Sequence, residues 1–597
     1  MFPEQTLPQI VREHAQKQGD GVAIRQKEFG IWRPYTWREY YERASAVGLG
    51  FRAMGLEEGG HVAVISENRI EWVLAQLGAG LVGAITIGVY PTSPSNEVAY
   101  VLEHSNTEIV VCEDQEQVDK VLERMAELPK LRRIVVMETK GMRQYPENRV
   151  ISFLDLERAG KTHAFTHGKL IEDVLSRQKL SDTALMIYTS GSTGKPKGAM
   201  LSYKNIRAEA ESVVERLDLD ASTTLLSYLP LCHVAEQMTT VMVPSYLGSL
   251  VNFGESLRTV QEDLREVAPT MFLGVPRIWE KLHSSIHIKL LESDPLRRKL
   301  FEMAYAACEP FAEKSPSQRS PGERVKFFVY YWLVFRSLQN FIGLRNAKVA
   351  MTGAAPISAK IVKFFRTLGV PLIEVYGLTE SSAIATAQTL DTRVPLCVGT
   401  AAPGIEVKLG DDGELLVRGD TVFEGYYRNE EATKSSIRNG WLHTGDVAEM
   451  YRGQFKIVDR IKDIMITAGG KNLSPSEIEN TVKASPFIKE CIVIADARKY
   501  VSALIQIDYE LTGKWAEEKG IAYTNFRNLV EHPQVRELIQ REIDTANAQL
   551  AQVSNIRKFH LLAKELDHDD DEVTATMKVR RSNITRKYAS EIEALYA

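Results

Sequence analysis

The succession of hydrophobic runs along the chain predicts an α/β protein: a large N-terminal domain of parallel sheets flanked by helices, with a small β-rich subdomain, followed by an α+β C-terminal domain. Three observations carry this. Short β-type runs alternate with helix-period segments through the first two thirds of the chain, each strand ends in a loop rich in Gly, Pro, Ser or Thr, and the rhythm changes to short strands and tight turns from about Val398. A chain of 597 residues also exceeds what one hydrophobic core usually serves, so at least two domains are expected.

Taken in order, the β-type runs are 61–66 (HVAVIS), 108–112 (EIVVC) and 133–137 (RIVVM), separated by helix-period segments at 69–81 and 115–128. The pattern continues through 184–188 (ALMIY), 270–275, 348–351 and 372–375. In open α/β sheets ligands gather at the carboxyl ends of strands, which directs attention to the loops after these runs. Strands at 404–409 (GIEVKL) and 414–418 (ELLVR), joined through Asp412-Gly413, define a β-rich subdomain over about 398–459. The N-terminal domain is therefore placed at 1–459 and the C-terminal domain at 460–597, where Pro475-Ser476-Glu477 opens a helix and strands follow at 490–495 and 501–507. No internal repeat is present. The acidic run 567–572 (DHDDDE) lacks the spacing of a calcium loop and reads as a solvated loop.

Composition narrows the function classes. Lys+Arg at 73 against Asp+Glu at 78, with no basic block, argues against a nucleic-acid partner. Five scattered cysteines without a C-x-x-C pair fit a reducing, cytoplasmic compartment rather than a disulfide framework or a zinc site. The start MFPEQTLPQIVREH lacks the features of a secretory signal, and no apolar run reaches the roughly 18 residues of a membrane span, so a soluble protein is expected. The densest apolar stretch, 327–335 (FFVYYWLVF), reads as a buried core helix. A peripheral membrane contact or a subunit contact forming a homodimer stays open beside that reading.

The segment 188–198 (YTSGSTGKPKG) carries the most chemistry. Thr189, Ser190, Gly191, Ser192, Thr193, Gly194, Lys195, Lys197 and Gly198 combine permissive backbone, hydroxyl donors and two positive charges, the ingredients of a pyrophosphate cradle. The spacing is that of neither a Walker A loop, since Pro196 follows Lys195, nor a G-x-G-x-x-G turn.

With this loop, four further blocks in the same order resemble the adenylate-forming superfamily of acyl-CoA synthetases, peptide adenylation domains and luciferases, across roughly 36–581. The resemblance implies that Gly353, Ala354, Ala355 and Pro356 (in TGAAP) form the adenine-side loop. It implies that Tyr376 and Gly377 (in YGLTE) supply an aromatic ring beside the nucleotide, with Thr379 binding phosphate and Glu380 binding Mg²⁺. Asp446 (in WLHTGD) corresponds to the ribose-binding aspartate, Arg460 (in DRIKD) to a second ribose contact and Lys462 to the hinge. The C-terminal domain is then mobile, rotating about that hinge to exchange a catalytic lysine, Lys578 (in VTATMKVRR), for Gly469 and Gly470 (in TAGGKN) near the pantetheine arm of coenzyme A. Ala575 and Met577 stand where the family commonly has Pro and Gly. Arg580 and Arg581 read as surface charges or CoA-phosphate contacts. His233 (in LPLCHVAE) resembles the histidine placed beside the acyl carboxylate.

The implied activity uses ATP, Mg²⁺ and coenzyme A to convert a carboxylic acid to its thioester through an acyl-adenylate. The long helix-period stretch 284–344 and the SYLPLCHVAE wording resemble the long-chain, bubblegum-type fatty-acid ligases, which makes a fatty acid the expected substrate. The alternatives are a ligase that loads a carrier protein, a non-catalytic acyl or nucleotide binding module, and a light-emitting oxidase.

Overall fold

The computed structural model describes residues 4–146, 148–189, 195–256, 258–567, 570, 572–573 and 579–597. Its largest sheet has eight strands, in the order Gly425–Tyr426, Lys197–Ser202, Thr183–Thr189, Ile85–Val89, His61–Ile65, Ile109–Cys112, Arg133–Val136, Val150–Ser152. The strands from Thr183–Thr189 to Val150–Ser152 run parallel. Helices Ile70–Leu81, Ser95–His104 and Gln115–Glu123 lie between them in the chain, as parallel crossovers require. His61–Ile65 and Ile109–Cys112 are buried at every position, which is why they read as unbroken apolar runs.

The two large sheets are parallel through their centres, as expected, and carry antiparallel strands at their edges. Thr183–Thr189 and Lys197–Ser202 pair antiparallel, because the seven residues 190–196 are too few for a crossover. The second sheet is likewise mixed: Met271–Gly274, Val349–Thr352 and Leu372–Tyr376 are parallel, and Thr386–Ala387 and Thr400–Ala401 add antiparallel at its edge. A third sheet joins Thr224–Ser227 and Leu250–Phe253 to the N-terminal hairpin Val22–Glu28/Ile31–Thr36.

The β-rich unit contains Ile405–Leu409, Glu414–Gly419, Ile437–Arg438, Trp441–Tyr451 and Gln454–Arg460. Beyond it, a hairpin Met465–Ile466/Asn472–Leu473 precedes the helix Pro475–Val482 and a three-stranded sheet of Ile488–Ile494, Val501–Ile507 and Ile556–Leu561. The buried Asp459 carboxylate ties these parts together, accepting from the Ser474 hydroxyl (2.7 Å), the Ser476 hydroxyl (3.0 Å) and the Ser476 N–H (3.2 Å).

Three readings of charged or apolar runs change. The 327–335 stretch lies in a helix that begins at Pro321 with a Ser320/Glu323 capping box, but only one face of it is buried, while Phe328, Val329, Trp332 and Leu333 are exposed. The acidic run is not simply solvated: Glu572 is buried and meets Lys587 (2.9 Å), Lys564 (3.1 Å) and the Tyr588 hydroxyl (2.9 Å), where burial without partners would be prohibitive. Arg581 is no surface charge, since it pairs with Glu479 (2.6 Å) and donates to the Val493 carbonyl (2.7 Å).

Candidate active site

The loop expected to hold phosphate is bracketed by a hairpin on either side of residues 190–194. Thr189 pairs with Lys197 and Tyr188 with Gly198 across it. A Cβ at Gly198 would lie 3.0 Å from the Tyr188 ring, so any larger residue would need that ring to give way by a few tenths of an ångström. The Ser95–His104 helix backs the hairpin. Tyr100 donates to the Pro196 carbonyl (3.1 Å) and carries the Lys195 ammonium over its ring (4.9 Å), while His104 Nδ1 meets the Tyr188 hydroxyl (2.8 Å). Burial, with Arg428 nearby, lowers the pKa of His104 and keeps the ring neutral. Ser190, Gly191, Ser192, Thr193 and Gly194 lie outside the described residues.

Thr379 and Glu380 form a single 3₁₀ turn after the Leu372–Tyr376 strand. Tyr426, on the strand added to Lys197–Ser202, joins this turn to the phosphate side: its hydroxyl donates to Glu380 Oε1 (2.6 Å), and Lys197 sits 5.2 Å over its ring. Burial, and after it the Glu380 charge, push the Tyr426 phenol far up, so it remains a donor. A carboxylate and two ammonium groups thus lie around the loop, the charge set a polyphosphate and its counter-cation require.

The residues expected on the nucleoside side lie at the ends of the second sheet and on the hairpin beside it. Tyr376 donates to Asp446 Oδ2 (2.6 Å), and Arg460 Nε lies 3.4 Å from Asp446 Oδ1, because Asp446 and Arg460 face each other across the Trp441–Tyr451/Gln454–Arg460 hairpin. A Cβ on Gly377 would lie 1.5 Å from the Ala383 carbonyl, and one on Gly353 would lie 2.8 Å from Val375. These two glycines let the YGLTE and TGAAP segments pass close to their neighbours. Ala354, with φ +66°, Ala355 and Pro356 are exposed at the strand end.

His233 caps the short helix Val234–Glu236, and its Nδ1 accepts from the Ala235 N–H (3.2 Å). Its loop lies on the Ile85–Val89 strand so closely that a Cβ at Gly88 would meet Cys232 Cα at 2.7 Å. Glu236 holds the loop: the fully buried carboxylate accepts from Thr240 (2.5 Å), Ser227 (2.7 Å), the Leu229 N–H (3.1 Å), the Tyr228 N–H (3.2 Å) and Asn68 (3.2 Å). Burial pushes its pKa up to about 7 against the lowering effect of these donors.

In the C-terminal part, Lys578 lies outside the described residues. Beside it, Val579 bridges to Val573, and Arg580 reaches Glu97 (3.6 Å) on the helix that backs the phosphate hairpin. Lys462 is exposed in the turn after Arg460. Gly469 and Gly470, the latter at φ +72°, occupy an open turn whose described backbone bonds all go to C-terminal residues. Among the described residues, Arg580, two positions from Lys578, thus reaches the helix behind the hairpin, while the backbone bonds around Gly469 and Gly470 stay within the C-terminal part.

Residues 11–427 match the AMP-binding enzyme family, and residues 462–597 match the AMP-binding enzyme C-terminal domain. The chain belongs to the AMP-binding enzymes. The resemblance to the adenylate-forming superfamily holds, and similar proteins align along nearly the whole chain. The long-chain-fatty-acid–CoA ligase FadD15 of Mycobacterium bovis is 31% identical, covering 98% of this chain and 96% of its own. Long-chain-fatty-acid–CoA ligase ACSBG2 of Rattus norvegicus is also 31% identical, covering 99% and 93%. Among solved structures, the anthranilate CoA ligase AuaEII with anthranoyl-AMP superposes with a TM-score of 0.74 at 20% identity, covering 100% and 99%. The A-PCP didomain of carboxylic acid reductase from Segniliparus rugosus with AMP gives 0.72 at 19%, covering 100% and 83%. These two establish the shared fold.

Within this AMP-binding enzyme, sequence reasoning missed Tyr426, Tyr100, His104 and Glu236. The first three lie in segments of ordinary composition far in sequence from the groups they touch. Glu236 stands inside the quoted LPLCHVAE block, and the signal was available: a carboxylate amid apolar residues must find donors when buried.

Proposed function

We infer that this AMP-binding enzyme is a long-chain fatty acid–CoA ligase. The observation that carries the reading is similarity, along nearly the whole chain, to proteins named long-chain-fatty-acid–CoA ligases. The helices Pro276–Leu291, Pro295–Cys308 and Pro321–Tyr330, in the long connection between Met271–Gly274 and Val349–Thr352, support it.

The chemistry follows from the charges. In the first half-reaction a carboxylate oxygen of the acid attacks the α-phosphorus of ATP; the bond to the β-phosphate oxygen breaks, giving acyl-adenylate and pyrophosphate. Charge accumulates on the leaving pyrophosphate, which Lys195, Lys197 and the hydroxyls of the phosphate loop would neutralise. Glu380, oriented by Tyr426, fits Mg²⁺, which when bound supplies further charge neutralisation there. Asp446 and Arg460 would hold the ribose, and Tyr376, Gly353, Ala354, Ala355 and Pro356 would border the base. His233, its Nδ1 engaged by the Ala235 N–H, would orient the acid's carboxylate through Nε2, and Lys578 would meet the α-phosphate and attacking oxygen. In the second half-reaction the thiol of coenzyme A attacks the acyl carbonyl and AMP leaves. That step requires the 460–597 domain to turn about Lys462 so that Gly469 and Gly470 approach the adenylate.

The deciding experiment measures AMP release across saturated, unsaturated and aromatic acids, with coenzyme A or a carrier protein as acceptor. CoA-dependent release with the best kcat/KM at about twelve or more carbons is expected, since each buried methylene adds roughly 1–3 kcal/mol of discrimination. A preference for acetate or benzoate overturns the substrate class, and transfer to carrier protein alone overturns the acceptor.

A further inference from the structure

The helix Pro321–Tyr330, its π turn Tyr331–Phe335 and the continuation Arg336–Phe341 are apolar on both faces. Phe327, Tyr331, Val334, Phe335 and Leu338 turn inward, onto the core that contains Trp279 and Phe365. On the other face Val325, Phe328, Val329, Trp332 and Leu333 are 65, 63, 45, 56 and 60% exposed. Their spacing of i, i+3, i+4, i+7 and i+8 makes one stripe along the helix, where single exposed apolar residues would need no explanation.

Cations frame the stripe. Lys326 and Arg336 are exposed and, among the described residues, enter no ion pair; the Arg336 guanidinium lies 4.8 Å over the Trp332 ring. From Pro295 to Lys348 there are ten Lys and Arg against four Asp and Glu, whereas the whole chain carries −5. An apolar stripe with Trp and cations at its border matches the layering of a bilayer surface, apolar below and anionic above. Among the described residues no helix is long and apolar enough to cross a membrane, so this one would lie in the interface. A second copy of the chain fits less well, because a twofold contact through the stripe would set Lys326 and Arg336 against the same cations of the other copy.

We propose that the 325–336 face docks the protein on anionic lipid bilayers. This deepens the fatty-acid reading, since such substrates dissolve in bilayers, but binding is measured without acid or nucleotide, so either can fail while the other stands. The test is flotation of the full chain with vesicles of phosphatidylcholine alone, or with about a third phosphatidylglycerol, at about 0.1 M salt. The wild type should float with the anionic vesicles and much less with the neutral ones. Lys326→Gln/Arg336→Gln should weaken anionic binding about thirtyfold and leave neutral binding unchanged. Phe328→Ser/Trp332→Ser should weaken both, with circular dichroism and adenylate formation from dispersed acid unchanged. No flotation of the wild type, or flotation of both variants like wild type, overturns the proposal. So does a wild-type dimer that Phe328→Ser/Trp332→Ser makes monomeric without any vesicle binding.

Discussion

Tyr426 stands between a cation and a carboxylate, and its hydroxyl is the link that orients Glu380. Tyr426→Phe keeps the ring over Lys197 and removes that link. A hydrogen bond to a charged group is worth about 1.5–3 kcal/mol, so adenylate formation should fall roughly tenfold or more, with thioester formation from supplied acyl-adenylate preserved. Equal losses in the two half-reactions would make Tyr426 a folding residue only. Glu236 offers a pH test. Its native pKa of about 7 lies above its ordinary 4.5, so the folded state holds the proton longer; the associated stability is complete below about pH 4.5 and is lost as pH rises through 7. Between pH 5 and 8 the wild type should lose about 2–3 kcal/mol more than Glu236→Gln, read from urea midpoints at each pH. An identical pH dependence in the two proteins would refute this. Lys197, Glu380, Asp446 and Arg460 could be singled out as candidates because each stands in a motif whose chemistry needs that residue type. Tyr426 was not, because a tyrosine on a two-residue strand 46 positions beyond its carboxylate partner leaves no local trace.

At the scale of elements, the short buried strands were readable within a residue or two, since each is a continuous apolar run ended by a turn-forming loop. Their antiparallel edges were not, because strand direction depends on the length of the connection and on partners far along the chain. The 327–335 helix was misjudged for a related reason: a run that is apolar on both faces says nothing about how many faces the fold will cover. The Gly377 turn shows how little room the site elements have. With the Ala383 carbonyl 1.5 Å from a Cβ there, Gly377→Ala should shift the YGLTE segment and abolish ATP-dependent exchange, and retained exchange would show that the turn can move. The hinge element gives the opposite expectation. Lys462→Pro should keep much of the fatty-acid-dependent pyrophosphate exchange yet lose most thioester formation, since proline fixes φ near −65° and would block rotation. A parallel change in both half-reactions would refute the hinge assignment.

At the scale of the whole molecule, the two parts are clasped through the helical insertion. Arg277 pairs with Glu490 and donates to the Lys489 carbonyl, while also meeting Glu280 at 3.1 Å; Glu292 and Glu518 add longer contacts to Lys514 and Arg298, each at 3.8 Å. This clasp accompanies the arrangement in which Arg580 faces Glu97. Arg277→Ala should therefore slow adenylate formation about tenfold and spare or speed the thioester step, as expected when one of two populations is weakened. Slowing of both steps alike would argue against two functional arrangements. None of these contacts is visible in the sequence, where Arg277 is one arginine after a proline.

The Ser95–His104 helix has a consequence of its own. Glu97, Tyr100 and His104 recur at i, i+3 and i+7, so one face meets Arg580 of the C-terminal part, the Lys195–Pro196 end of the phosphate loop and Tyr188 beneath it. A single helix thus contacts both the Lys195–Pro196 end of the loop and the C-terminal part. If ATP binding and docking are coupled through it, linkage makes that coupling reciprocal, and Glu97→Ala should reduce the effect of each on the other by the same factor, measured as ATP affinity with and without the C-terminal part docked.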